Sequence, residues 1–249
     1  TDVDAGETLS YQLLGTPIAG LTIDATTGSW TFDPTNDAYQ SLAANDTQTI
    51  TVNYGVTDSN GAIAQSSFDI TLTGTNDAPT ATFSTAQATS EGSVALTGQL
   101  TATDVDAGDT LTYAFSGDNP IDGLTIDEQT GAWSFDPSVD AYNDLAKGET
   151  RAITVDYTVT DGSGETGSSS FTINLTGTND IPVIDVIDDV NTTEDSTQLS
   201  GQLTATDADS NDTLSYQLLG APIDGLTIDA TTGAWTFDPT NAAYQSLAA

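Results

Sequence analysis

Between Thr150 and Thr160 apolar and other residues alternate, with Ile153, Val155, Tyr157 and Val159 on every second position. Ser169–Thr176 repeats the pattern with Phe171, Ile173 and Leu175, and shorter versions run through Leu111, Tyr113 and Phe115 and through Leu124 and Ile126. Successive side chains of a strand point to opposite faces, so a period of two predicts strands with one buried face. Turn chemistry separates them, as Asp-Glu-Gln-Thr-Gly at 127–131 and Asp-Gly-Ser-Gly at 161–164. One stretch breaks the pattern: the spacing of Tyr142 and Leu145 in VDAYNDLA (139–146) predicts a helical turn or two. About seven short strands per hundred residues with little helix predicts an antiparallel β-sandwich. Trp133 and Phe135 share one face of one strand and are assigned to its core.

The same pattern recurs along the chain. TDVDAGET begins at Thr1, TDVDAGDT at Thr103 and TDADSNDT at Thr206. Trp30, Trp133 and Trp235 stand in GSWTFDP, GAWSFDP and GAWTFDP, and GTND occurs at Gly74–Asp77 and Gly177–Asp180. The period of about 103 residues gains one residue near Asp118–Asn119 in the second copy. A unit of that size is a small domain rather than a solenoid repeat. The expected division is 1–78, lacking its first strands; 79–181, complete; and 182–249, lacking its last strands. A window onto a longer array is expected, with strand exchange between chains as the alternative.

Charge changes the picture. The chain carries 37 acidic residues against 2 basic ones, Lys147 and Arg151, for a net charge of -35. Such a surface repels nucleic acid and anionic membranes, and no stretch is apolar and long enough for a membrane span. Recurrent aromatics argue against disorder. Without Cys there is no disulfide framework, which fits a bacterial exported protein. Two carboxylates 4 Å apart repel by about 1 kcal/mol in water and about 4 kcal/mol at an effective dielectric of 20. Clustered acids here need cations from outside the chain, or they need distance.

The acids do cluster, at repeated turns. One set is Asp104, Asp106 and Asp109, with counterparts Asp2, Asp4 and Glu7, and Asp207, Asp209 and Asp212. Alternate residues of an extended segment face one way, so Asp104 and Asp106 can converge on one ion. Calcium asks for six to eight oxygens from carboxylates, carbonyls and amides. A second set is Asn76-Asp77 and Asn179-Asp180, a third is Asp58 and Asp161 after a strand, and a fourth is Glu91 and Glu194, thirteen residues ahead of each DxD. Ordinary turn capping explains any one of these alone, but not the whole set in a chain with almost no cationic partners. Asp33, Asp136 and Asp238 each precede Pro and a helix-like stretch, and suit an N-cap as well as a metal ligand.

SEG, TATDVD, IDEQTG, FDP, VTDGSG and TGTND-x-P together resemble the VCBS repeat of large, RTX-type bacterial adhesins and, more distantly, the cadherin repeat, along the entire chain. The resemblance implies tandem cadherin-like, immunoglobulin-like sandwiches in an extended extracellular array at the bacterial surface, with calcium between consecutive repeats. It implies a first junction of Asp33, Asn76, Asp77, Asp104, Asp106 and Asp161, and a second of Glu91, Asp136, Asn179, Asp180, Asp207 and Asp209. Asp2, Asp4 and Asp58 would serve the junction before the first copy, and Glu194 and Asp238 the one after the third. The cadherin linker has a further Asp where this chain has Thr73 or Thr176, which implies fewer ions per junction.

An enzyme is not expected, because there is no His, no Cys and no repeated Ser-base pair. The rival reading is a carbohydrate-binding module for surface or matrix glycans, using Tyr39, Tyr142 and Tyr244 if these are exposed. The partners expected otherwise are neighbouring repeats of the same or an identical chain.

Overall fold

A computed structural model describes residues 7–117 and 120–246. Asp2, Asp4 and the extra residue near Asp118–Asn119 fall outside them. All regular structure is β apart from two short 3-10 turns, Asp37–Tyr39 and Asp140–Tyr142.

The second copy shows the complete arrangement. One sheet has four strands in the order Thr112–Ser116, Thr150–Thr160, Thr166–Thr176 and Gln87–Ser90. The other places Ala132–Phe135 between Leu124–Ile126 and Leu96–Gln99. The long hairpin from Thr150 to Thr176 turns Val155, Tyr157, Val159, Phe171, Ile173 and Leu175 inward, where they meet Trp133 and Phe135 from the facing sheet. This is a β-sandwich core filled from two inner faces.

Local pattern did not foretell the start of the copy. Thr80–Ala81 pairs antiparallel with Ala102–Thr103, whereas Gln87–Ser90 crosses to the opposite sheet and pairs parallel with Ile173–Thr176. The start of the copy is thus split between two sheets, and the antiparallel sandwich acquires a parallel edge.

Trp133 is 2% exposed and Phe135 fully buried. Phe83, ahead of the crossing strand, lies 6.4 Å from Trp133 and 5.1 Å from Phe171 between ring centroids. Gly98 faces Trp133 across the strand pair, and a Cβ there would lie 2.4 Å from the indole. The indole therefore dictates that glycine through space. Trp30, the corresponding residue of the first copy, is 48% exposed.

The 3-10 turns are packing devices. Tyr39 and Tyr142 are buried, and donate their hydroxyls to the carbonyls of Ala19 and Asp122 at 2.8 Å. Tyr244 makes the same bond to Asp224. These rings are committed to the fold, so the glycan platform expected of them as the alternative is withdrawn.

Candidate metal centre

Each FDP acid is held by its own turn. Asp33 Oδ1 accepts from Thr35 N and Oγ1 at 2.9 and 2.7 Å; Asp136 does so from Ser138, and Asp238 from Thr240. They do not cap the 3-10 turns. Asn36 occupies the first cap, and Val139 the second, without a side-chain bond. The N-cap expectation fails because the Pro-containing turn intervenes. The acids after the long strands are turn anchors as well. Asp58 accepts from Asn60 N and Ala62 N, and Asp161 Oδ1 from the backbone of Ser163, Gly164 and Glu165.

The other oxygen of Asp161 is used differently. Asn76 Nδ2, in the linker, donates to Asp161 Oδ2 at 2.8 Å, and Asp77 N donates to Asp106 Oδ2 at 2.8 Å. Asp106 N in turn donates to Asp104 Oδ1. The structure thus gathers Asn76, Asp77, Asp104, Asp106 and Asp161 at one boundary, and Asp33 makes none of these bonds.

The next boundary repeats the plan. Asp180 N donates to Asp209 Oδ2 at 2.8 Å, Asp209 N to Asp207 Oδ1, and Asn179 Nδ2 to the Asp180 carbonyl. Glu91 joins from the second copy. It is 5% exposed and accepts from Thr178 N at 3.0 Å. Glu194 is exposed and makes none of these contacts. Backbone bonds also cross both boundaries, from Ala107 N to the Ser41 carbonyl and from Ser210 N to the Asp144 carbonyl.

Several oxygens in these sets, and one of Asp109 beside the first, are buried and accept nothing. They are Asn76 Oδ1, Asp104 Oδ2, Asp106 Oδ1 and Asp109 Oδ2 at the first boundary, and Glu91 Oε1, Asp180 Oδ2 and Asp209 Oδ1 at the second. Unpaired buried polar atoms are uncommon in folded proteins and costly. Here all are oxygens and nearly all carboxylate, the donor set of a hard cation. Among the described residues the one ion pair, Arg151 to Asp144 at 2.8 Å, answers none of them. Sequence spacing pointed to Asp104 and Asp106; the involvement of Asp144 could not be read from it.

Burial first, then Asp180, Asp209 and Asp144, raises the Glu91 acid above its ordinary value, against the Thr178 N–H. Burial first, then Asp104, Asp106 and Asp161, likewise raises Asp109. Asp161 is lowered, first by the Asn76 amide and then by three backbone N–H groups. The side-chain hydroxyl and backbone of Thr130 lower Asp127, and those of Ser138 lower Asp136. The signs give a two-sided pH profile without divalent cations. For the raised acids the folded chain binds more protons, so stability should grow as pH falls from neutral through their folded values. For the lowered acids the stabilising charge is present above the ordinary 3.8 and is lost as pH falls below it. Melting temperature in chelator should therefore pass through a maximum on the acid side of neutral. A steady fall from pH 7 downward would contradict the crowding.

Residues 76–177 match the family model described as the bacterial cadherin-like domain. Among solved structures, the chain is similar to human CDH23 EC21-23, with a TM-score of 0.54 and 19% identity over 93% of this chain and 79% of that one. It is also similar to mouse Cadherin-23 EC22-24, with a TM-score of 0.50 and 18% identity over 95% of this chain and 78% of that one. Likeness at that identity shows the fold. No curated protein sequence matches the chain. The fold is that of cadherin-like β-sandwiches, and no helix among the described residues is long and apolar enough to cross a membrane.

Proposed function

We propose that this chain is a calcium-stiffened extender segment of an extracellular bacterial adhesin or surface fibre, a spacer rather than a catalyst. The observation that carries the reading is the meeting, at both copy boundaries, of buried oxygens from consecutive copies with no donors to satisfy them. The units would be 1–78, 79–181 and 182–249. Near-identical beads suit reach; a receptor would need one distinct site. The family model matched by residues 76–177 is bacterial, and a VCBS-like ending at TGTND-x-P would put the linker acids where the copies meet.

Calcium would be held by Asn76, Asp77, Asp104, Asp106 and Asp161 at the first junction and by Glu91, Asn179, Asp180, Asp207 and Asp209 at the second. Bound there, it supplies positive charge that removes the repulsion between acids of neighbouring repeats. Asp33, Asp136 and Asp238 each commit one oxygen to a turn, and would contribute at most the other.

Thermal stability tests this. Calcium at a hundredfold excess over its dissociation constant should stabilise the chain by about 2.7 kcal/mol per site. A melting curve unchanged between calcium and chelator would refute the sites. Magnesium should substitute poorly, because its strict octahedral demand suits an irregular oxygen set badly.

A further inference from the structure

The acid turn of the second copy contains a carboxylate that the junction itself does not use. We propose that Asp109 is a cation ligand, completing with Asp104 and Asp106 a calcium-class site whose carboxylates all come from one turn of a single copy. The inference rests on the reading that the boundaries take calcium.

Four observations support it. First, carboxylate oxygens of Asp104, Asp106 and Asp109 lie within 4.8 Å of one another, and each residue has a buried oxygen without a partner. Asp106, at 4% exposure, is enclosed almost completely. Second, strand geometry would not bring Asp109 to this point, since it is offset by an odd number from both DxD acids. The turn brings it back through Gly108, whose φ of +89° lies in the left-handed region that glycine adopts freely. Third, the third copy builds the same turn. Asn211, a residue type that tolerates this conformation, holds φ at +74°, and Asp207, Asp209 and Asp212 again lie within 4.8 Å of one another.

The fourth observation is a contrast with the first copy. There Glu7 occupies the corresponding place, and its carboxylate is fully engaged. It accepts from Ser59 N and Oγ at 3.2 and 2.7 Å and from Asn60 Nδ2 at 2.6 Å. In the second copy those two positions are Gly162, which has no side chain, and Ser163, whose N–H goes to Asp161. Asp109 Oδ2 is left without a donor because the clasp that holds Glu7 has been removed.

The site has a consequence for the junction. Asp106 offers one oxygen to this turn and the other to the linker N–H of Asp77. A cation held by the turn fixes the acceptor that the linker needs.

The test is calcium titration calorimetry on the whole chain, comparing wild type with Asp109→Asn and Glu7→Gln. Asparagine keeps the shape and one oxygen but removes the charge. Even an outer-shell partner of a metal ligand is worth about 10–100-fold in affinity, so removing the charge of a direct ligand with Asp109→Asn should weaken one site by at least about tenfold, and Glu7→Gln none. Asp212→Asn should do the same in the third copy, and serves if Asp109→Asn fails to fold. Aspartate variants that bind as wild type does, or an equal loss on Glu7→Gln, would overturn the proposal. If those variants bind normally while calcium still stiffens the chain, this inference alone fails. If Asp109→Asn loses a site but calcium never stiffens the chain, calcium is bound at the boundary without acting as a stiffener, so the extender reading fails and this one stands.

Discussion

Trp133→Ala should destabilise the second copy by about 3–5 kcal/mol, the usual range for emptying a buried aromatic site. The indole is 2% exposed and lies 5.0 Å from the Phe171 ring, between centroids, with Gly98 against its face. Refilling of that space is limited, because glycine has no side chain to move and Phe171 is held in the long hairpin. Trp133→Phe should cost much less, for two reasons. It leaves a smaller void, and it removes an indole Nε1 that is buried without an acceptor. Trp30→Ala should also be milder, since that ring is already half exposed. The three copies need not unfold together, so a single transition is a poor gauge. Hydrogen exchange at the amides of Thr150–Thr176 reads the opening of the second copy by itself. Equal losses for Trp133→Ala and Trp30→Ala would show that Phe83 and the strand of Gly98 do not close over Trp133.

Much of the sandwich can be read from the sequence, because period-two alternation carries the information that a half-buried strand needs. Thr150–Thr160 is a strand over the whole alternating stretch, and the strand around Phe171 begins three residues earlier, at Thr166. The helical turn at Tyr142 is shorter than its spacing suggests, since the chain must turn back into Thr150. The crossing of Gln87–Ser90 to the opposite sheet was not legible. Which sheet a short strand joins is settled by tertiary pairing, and a four-residue segment has no pattern to declare it.

The acid turns divide in the same way. Asp104 and Asp106 do converge, but through a bend in which Asp106 N donates to Asp104 Oδ1 rather than through the extended alternation expected of them. Asp109 joins them only because Gly108 takes a left-handed φ, and period alone cannot show that. The family resemblance places Glu91 at the second junction; residue pattern alone cannot, since the contact joins residues 87 apart and is made because the strand after Phe83 runs along Thr176. For Asp33, Asp136 and Asp238 the sequence left two roles open. The structure gives each a third, in which the hydroxyl and N–H two residues on hold one carboxylate oxygen.

The account stands or falls on whether calcium fixes the copies end to end. A strand of eleven residues such as Thr150–Thr160 rises about 36 Å at about 3.3 Å per residue. Each copy with its linker should then advance the array by roughly 35–45 Å, and three of them by on the order of 120 Å. Small-angle scattering of the whole chain, in calcium and in chelator, measures this directly. With calcium the profile should be that of a stiff rod near that length. In chelator, repulsion between the boundary acids should let the linkers flex, with a smaller radius of gyration and a broader distance distribution. Superimposable curves in the two conditions, or a compact particle in calcium, would contradict it.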